Sequence, residues 1–203
     1  MGRLSLLFVV LLGLGAVSAA AQAPSGNRVR VSGTVVKLDG HRLTVTEHSG
    51  DSVTIMLARD AAIYGVEKRA FADIKPGDFV ASGGVRGPDG KIHAVELRIF
   101  PAALRGLGEG QRPWSVKPDG VMTNATVGTV TASPGGGVLH VTYEGGQSEF
   151  AVGPGVPILA YVPADESLLK PGAAVLLVAQ KQADGTLTAN RVTAEKGGVK
   201  PPS

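Results

Sequence analysis

Hydrophobic and polar positions alternate along most of the chain. Val29, Val31 and Val35 alternate with Arg30, Ser32 and Thr34, Leu43 and Val45 with Thr44 and Thr46, and Val53, Ile55 and Leu57 with Ser52 and Thr54. A period of two marks half-buried strands. Asp39-Gly40 and Ser49-Gly50-Asp51 separate the three runs and are short enough for hairpins, so an antiparallel meander is predicted. The period then changes. Val66, Ala70, Phe71 and Ile74 fall at helical spacing and stop at Lys75-Pro76-Gly77, which predicts a short helical segment over 66–74. Two further strands, 78–82 and 92–99, follow across Gly87-Pro88-Asp89-Gly90.

The same order is predicted again downstream: strands 126–131, 138–143 and 148–152, one helical turn at 165–169, and strands 174–180 and 188–194. Gly33-Thr34-Val35, Lys75-Pro76-Gly77 and Asp89-Gly90 recur as Gly128-Thr129-Val130, Lys170-Pro171-Gly172 and Asp184-Gly185, each 95 residues later, and Leu43-Thr44-Val45-Thr46 matches Leu139-His140-Val141-Thr142 at 96. Several patterns at nearly one offset point to two copies of one unit. The predicted fold is therefore all-β with short helical segments, as two tandem five-stranded OB-like barrels over 28–100 and 125–195. An SH3-like or open Greek-key barrel is the rival. Phe71 and Ile74, and in the second copy Leu168 and Leu169, are expected to cap the open ends of their own barrels.

Gly-Thr-Val at the start, Leu-Thr-Val-Thr in the second strand, the Ile74-Lys75-Pro76-Gly77-Asp78 junction and the closing Asp-Gly hairpin resemble those of exported bacterial domains with an OB-like barrel. The whole chain after its first residues is similar to uncharacterised two-repeat proteobacterial proteins. The resemblance implies a fold and export. It brings no catalytic residues.

Arg3, an apolar stretch from Leu4 to Val17 and the small residues Ser18-Ala19-Ala20-Ala21 predict a signal peptide over 1–21. The apolar stretch is shorter than the roughly 20 residues a spanning helix needs. No membrane span is expected after cleavage, and the localisation expected is periplasmic or secreted. The chain has no cysteine, which excludes disulfides, thiolate metal ligands and a thiol nucleophile. Its core alone must hold it.

Charge is nearly balanced: residues 28–105 carry twelve basic and nine acidic side chains, the remainder seven and eight. With nine aromatic residues and cations scattered among acids, no nucleic-acid partner is expected. The four histidines, His41, His48, His93 and His140, show no metal-ligand spacing and are read as surface residues. Asp89 and Asp184 belong to turns, Ser115 and Ser167 have no neighbouring histidine in sequence, and the glycine clusters precede no helix. No enzyme activity, metal or cofactor is expected.

Residues 101–124 form a linker rich in glycine and proline that holds the only tryptophan. A free spacer is small and polar, whereas Arg112-Pro113-Trp114 gains from burial. Trp114 either plugs the groove between the barrels or, with Arg112, presents an aromatic-cationic anchor to a ligand or partner. Residues 196–203 are expected to be a disordered tail. The expected function is an exported, non-enzymatic binding or scaffolding protein, a monomer or weak oligomer, acting on an envelope protein or small ligand through barrel loops and the inter-domain groove. The alternative is a periplasmic metal or cofactor carrier using its surface histidines.

Overall fold

A computed structural model describes residues 27–202; the expected signal segment lies outside the described residues. The first meander forms as its alternation predicts. Strands β1 (Arg28–Asp39), β2 (Arg42–Glu47) and β3 (Ser52–Arg69) pair antiparallel in sequence, and Val31, Val35, Leu43, Val45 and Ile55 are buried. After the short 3-10 turn Phe71–Asp73 come β4 (Phe79–Arg86), β5 (Ile92–Phe100) and the brief β6 (Gly110–Pro113). A second meander is made by β7 (Gly120–Ser133), β8 (Gly136–Tyr143) and β9 (Gly146–Val152). Strand β10 (Ile158–Ala164), another 3-10 turn at Glu166–Leu168, β11 (Ala174–Lys181) and β12 (Leu187–Ala194) complete the chain. It is a mostly β protein. No helix among the described residues is long and apolar enough to cross a membrane.

Strand pairing closes a five-stranded barrel, but not from one contiguous stretch of sequence. Strand β1 pairs with β11, β11 with β12, and β12 runs parallel to β3, so the first meander is closed by the hairpin that ends the chain. The second meander is treated likewise: β4 pairs with β7, β4 with β5, and β5 meets β9 through Ile92–Phe150 and His93–Ala151. The expected units 28–100 and 125–195 therefore do not coincide with the rings, because each ring takes its closing hairpin from the other half. The cores agree. One cluster joins Val31, Leu43 and Ile55 to Leu169, Val175 and Val192, and another joins Ile74, Val80 and Leu97 to Val127, Leu139 and Phe150. Ile74 with half-buried Phe71, and Leu169 with half-buried Leu168, thus pack on the ring opposite to the one expected.

The crossing strand was hidden by its own burial. Residues 63–69 belong to β3 and pair antiparallel with β10, from Ile63–Ala164 to Arg69–Ile158, with Val66 opposite Tyr161 at the centre. The predicted helix over 66–74 shrinks to the single 3-10 turn at Phe71–Asp73. Ile63 to Val66 and Ile158 to Tyr161 are buried on both faces, which removes the alternation that reveals a strand. Two parallel pairings recur at one offset: Ile63 faces Val192 and Ile158 faces Leu97, with 158 lying 95 residues after 63 and 192 lying 95 after 97.

One of the repeated patterns is out of register. Val35 pairs with Val45, and it is Val127 that pairs with Val141, so Val127 rather than Val130 stands in the place of Val35. Gly128 falls at the irregularity between Val127 and Thr129, as Val36 does between Val35 and Lys37. Burial decides the register, since Val127 is sealed while Val130 is half-buried. The other two patterns keep their places: Gly77 and Gly172 both have left-handed backbones and donate to the carbonyls of Val127 and Val35. Asp89 and Asp184 each accept from a backbone N–H two residues on, as turn aspartates do.

Residues 196–202, expected to belong to a disordered tail, instead make defined contacts. Lys196 and Val199 close a small turn, Val199 packs beside the cluster of Tyr64, Val66 and Tyr161, and Lys196 Nζ lies 2.5 Å from Glu67 Oε1. Arg69 binds the same carboxylate at 2.7 Å. Lys196 and then Arg69 hold the Glu67 carboxyl below its ordinary value of 4.5. A depressed carboxylate pKa gives stability that is present above the ordinary value and lost as pH falls through the lower folded value. Hydrogen exchange at the 196–199 turn is accordingly expected to accelerate as pH falls below the ordinary glutamate value of 4.5, and in Glu67→Gln to be fast at every pH. Equal protection in wild type and variant at neutral pH would refute this anchor.

Candidate functional site

The two rings face each other across a groove, and its walls are basic. Arg28 and Arg30 reach it from β1, Arg191 from β12, Arg98 from β5 and Arg112 from β6, around a cavity of about 500 Å³. A smaller cavity of about 250 Å³ shares Arg30, Arg98, Phe100, Arg112 and Asn124 and adds Trp114. No aspartate or glutamate lines either. Alternation puts these arginines there: Arg28 and Arg30 stand on the outer face of β1, opposite buried Val31. Leu104, Leu107 and Leu176 supply an apolar floor. Phe100 stacks on Phe79 at 5.8 Å and meets Tyr161 edge-on at 5.4 Å, which fixes the aromatic wall.

Arg98 is the deepest cation. Its side chain is 12% exposed and pairs with Glu96, itself 14% exposed. Its Nε is the buried side-chain polar atom that lacks a hydrogen-bond partner among the described residues. Burial, and then the neighbouring Arg30 and Arg112 charges, push the guanidinium pKa down against the opposing effect of Tyr161. Those forces oppose the charge without removing it, because arginine stays protonated in proteins.

Arg112 and Trp114, singled out in the sequence, lie together in this groove. The segment expected as a linker over 101–124 contains a hairpin, β6 pairing with β7 from Gly110–Asn124 to Pro113–Val121. Arg112 Nη1 donates to the Gly108 carbonyl at 2.8 Å and Nη2 to Asn124 Oδ1 at 3.4 Å, while Asn124 Nδ2 donates to the Leu107 carbonyl at 2.7 Å. Burial lowers the Arg112 pKa too. The half-buried Trp114 ring rests on Gly83 of β4, where a Cβ would come within 2.8 Å of two ring carbons. Only glycine permits that approach. Arg28, Arg30, Arg98 and Arg191 escaped the sequence reading because they are far apart in the chain and each sits in an ordinary alternating strand.

The histidines do not converge. His48 Nδ1 donates to the Ser32 carbonyl at 3.1 Å, His93 lies 3.0 Å from Asp89, and His140 lies 3.4 Å from Glu149. No group of three His, Asp or Glu side chains among the described residues could hold a metal. A cavity of about 610 Å³ on the second ring contains Asp89, Lys91, His140 and Glu149. Its acids are paired, since Lys91 binds Glu149 at 2.8 Å and each acid is held below its usual pKa chiefly by its bonded partner, His93 for Asp89 and Lys91 for Glu149. The groove differs because, apart from the Arg98–Glu96 pair, its arginines have no acid beside them. No protein family, curated protein or solved structure matches this chain.

Proposed function

We propose that the chain is an exported, non-enzymatic binding protein of the bacterial envelope, holding a ligand or partner in the groove between its two rings. The observation that carries this reading is the set of five arginines around one concavity with no acid in its lining. Concave sites with a few charged groups on an apolar floor are the usual form of small-ligand pockets. Arginines that stay protonated at neutral pH bind and orient but do not exchange protons, which favours binding over acid–base catalysis. The apolar stretch ahead of Gln22 supports export. Each ring reads as one OB-type barrel, and the matched registers support two copies of one unit that exchange closing hairpins.

Trp114→Ala and Arg112→Gln test the site. Trp114→Ala is expected to abolish capture of the native ligand or partner from an envelope extract, with the melting temperature held within a few degrees because the ring is only half-buried. Small-angle scattering on the same variant reads the angle between the rings. Unchanged capture by both variants would overturn the assignment of the groove as the binding site.

A further inference from the structure

The geometry points to a small polyanion as the occupant of the groove: an organic molecule carrying two or more phosphate or carboxylate groups on a partly apolar body. This inference rests on the groove being the binding site and adds the chemistry of what enters it. Charge sets the sign and the valence. Arg28 and Arg191 make no side-chain hydrogen bond or ion pair among the described residues, and Glu96 is the one carboxylate paired with Arg98. Several positive charges therefore converge on one cavity without counter-charge, and a single monovalent anion would leave most of them uncompensated. The ordinary outcome for basic side chains is to point apart into water. Here they share a wall.

Arg98 supplies the specific seat. A planar guanidinium grips carboxylate or phosphate through adjacent N–H groups, and the Arg98 Nε–H is buried with no acceptor. Leaving a buried donor unmade is costly, and an anion that drew the guanidinium from Glu96 toward the cavity would supply the missing acceptor. The size of the cavity, about 500 Å³, falls in the range of small-molecule pockets and exceeds what one phosphate group fills. Phe100, Leu104 and Leu107 make one side apolar, which suits a ligand with a carbon skeleton. A concave enclosure of this size also disfavours a long polymer, which needs a continuous track.

Calorimetric titration of the purified chain with pyrophosphate, citrate and benzene-1,2,4-tricarboxylate at low salt tests the inference. Micromolar binding of at least one is expected, weakening several-fold as salt rises from about 50 to about 200 mM. Pyrophosphate alone would identify a phosphate ligand, and the carboxylates alone a carboxylate ligand. Benzene-1,2,4-tricarboxylate is expected to bind tighter than citrate, and equal affinity would overturn the role of the apolar wall. Arg98→Gln should weaken binding roughly tenfold or more, as should Arg191→Gln, which leaves the buried Glu96 pair intact, while Arg42→Gln at the start of β2, outside the groove lining, should change nothing. Binding weaker than about 1 mM for all three probes, wild-type affinity in both arginine variants, or binding of heparin without any small probe would each overturn the inference. If the probes fail while Trp114→Ala still abolishes capture from the extract, the anion falls and the groove reading stands. If both fail, the groove reading falls as well.

Discussion

Residues 27–104 expressed alone are expected to form a dimer and no folded monomer. This segment contains β1 to β5, enough strands for one ring, yet in the whole chain its β4 and β5 pair with β7 and β9 and its β1 and β3 with β11 and β12. The last seven residues of β3 carry the chain from one ring to the other and bury Ile63 to Val66 on both faces. Folding back within one copy would strip those residues of the β10 ladder and expose both faces. Two copies can instead exchange hairpins and pair their β3 strands about Val66, a low-cost route to a dimer. Sedimentation equilibrium gives the mass, and exchange protection at 63–69 reports the shared ladder. A protected, cooperatively melting monomer would show that the crossing is not encoded in this half.

The second large effect is expected at Phe150, which is fully buried, packs between Leu139 and Ile92, and forms half of the short β5–β9 pairing that closes the second ring. Phe150→Ala should cost about 3–5 kcal/mol, because it removes a large apolar side chain and leaves a cavity that stiff strands collapse poorly around. Val178→Ala, at an exposed position, should change stability by less than about 0.5 kcal/mol and serves as the control. Chemical denaturation of both proteins measures the difference. A loss at Phe150 no larger than at Val178 would contradict closure of the second ring through this pair.

Strands with one wet face, such as β1, β2 and β8, announce themselves by alternation, and their turns by Asp-Gly or Gly-Gly, whereas β4, buried at six successive positions, was marked by the Lys-Pro-Gly before it and the Asp-Gly turn after it. Residues 63–66 and 158–161 have no wet face, so nothing in their pattern separates strand from helix, and the crossing they make was unreadable. The Gly-Thr-Val repetition shows a second limit: similarity of letters cannot outrank the burial of Val127, which sets the register three residues away from the match. Arg112 and Trp114 could be singled out because a tryptophan in a polar segment is anomalous. Arg98 could not, because a single cation near the end of a strand is ordinary, and only the opposing ring turns its surroundings into a wall.

The exchange of hairpins fixes the order in which the molecule can be completed. As the chain lengthens from its amino terminus, β4, β5, β7, β8 and β9 are all present once residue 152 has appeared, and the second ring can close. The first meander, made earliest, has no closing partner until β11 and β12 arrive between residues 174 and 194. Its β1 and β3 edges must wait through more than half of the chain's synthesis or transit with their backbone donors and acceptors unmet. Open edges of this kind recruit other strands. A kinetic trap would therefore be built from the oldest residues rather than the newest, and a chaperone that serves this protein would have to recognise the strands between Arg28 and Leu57.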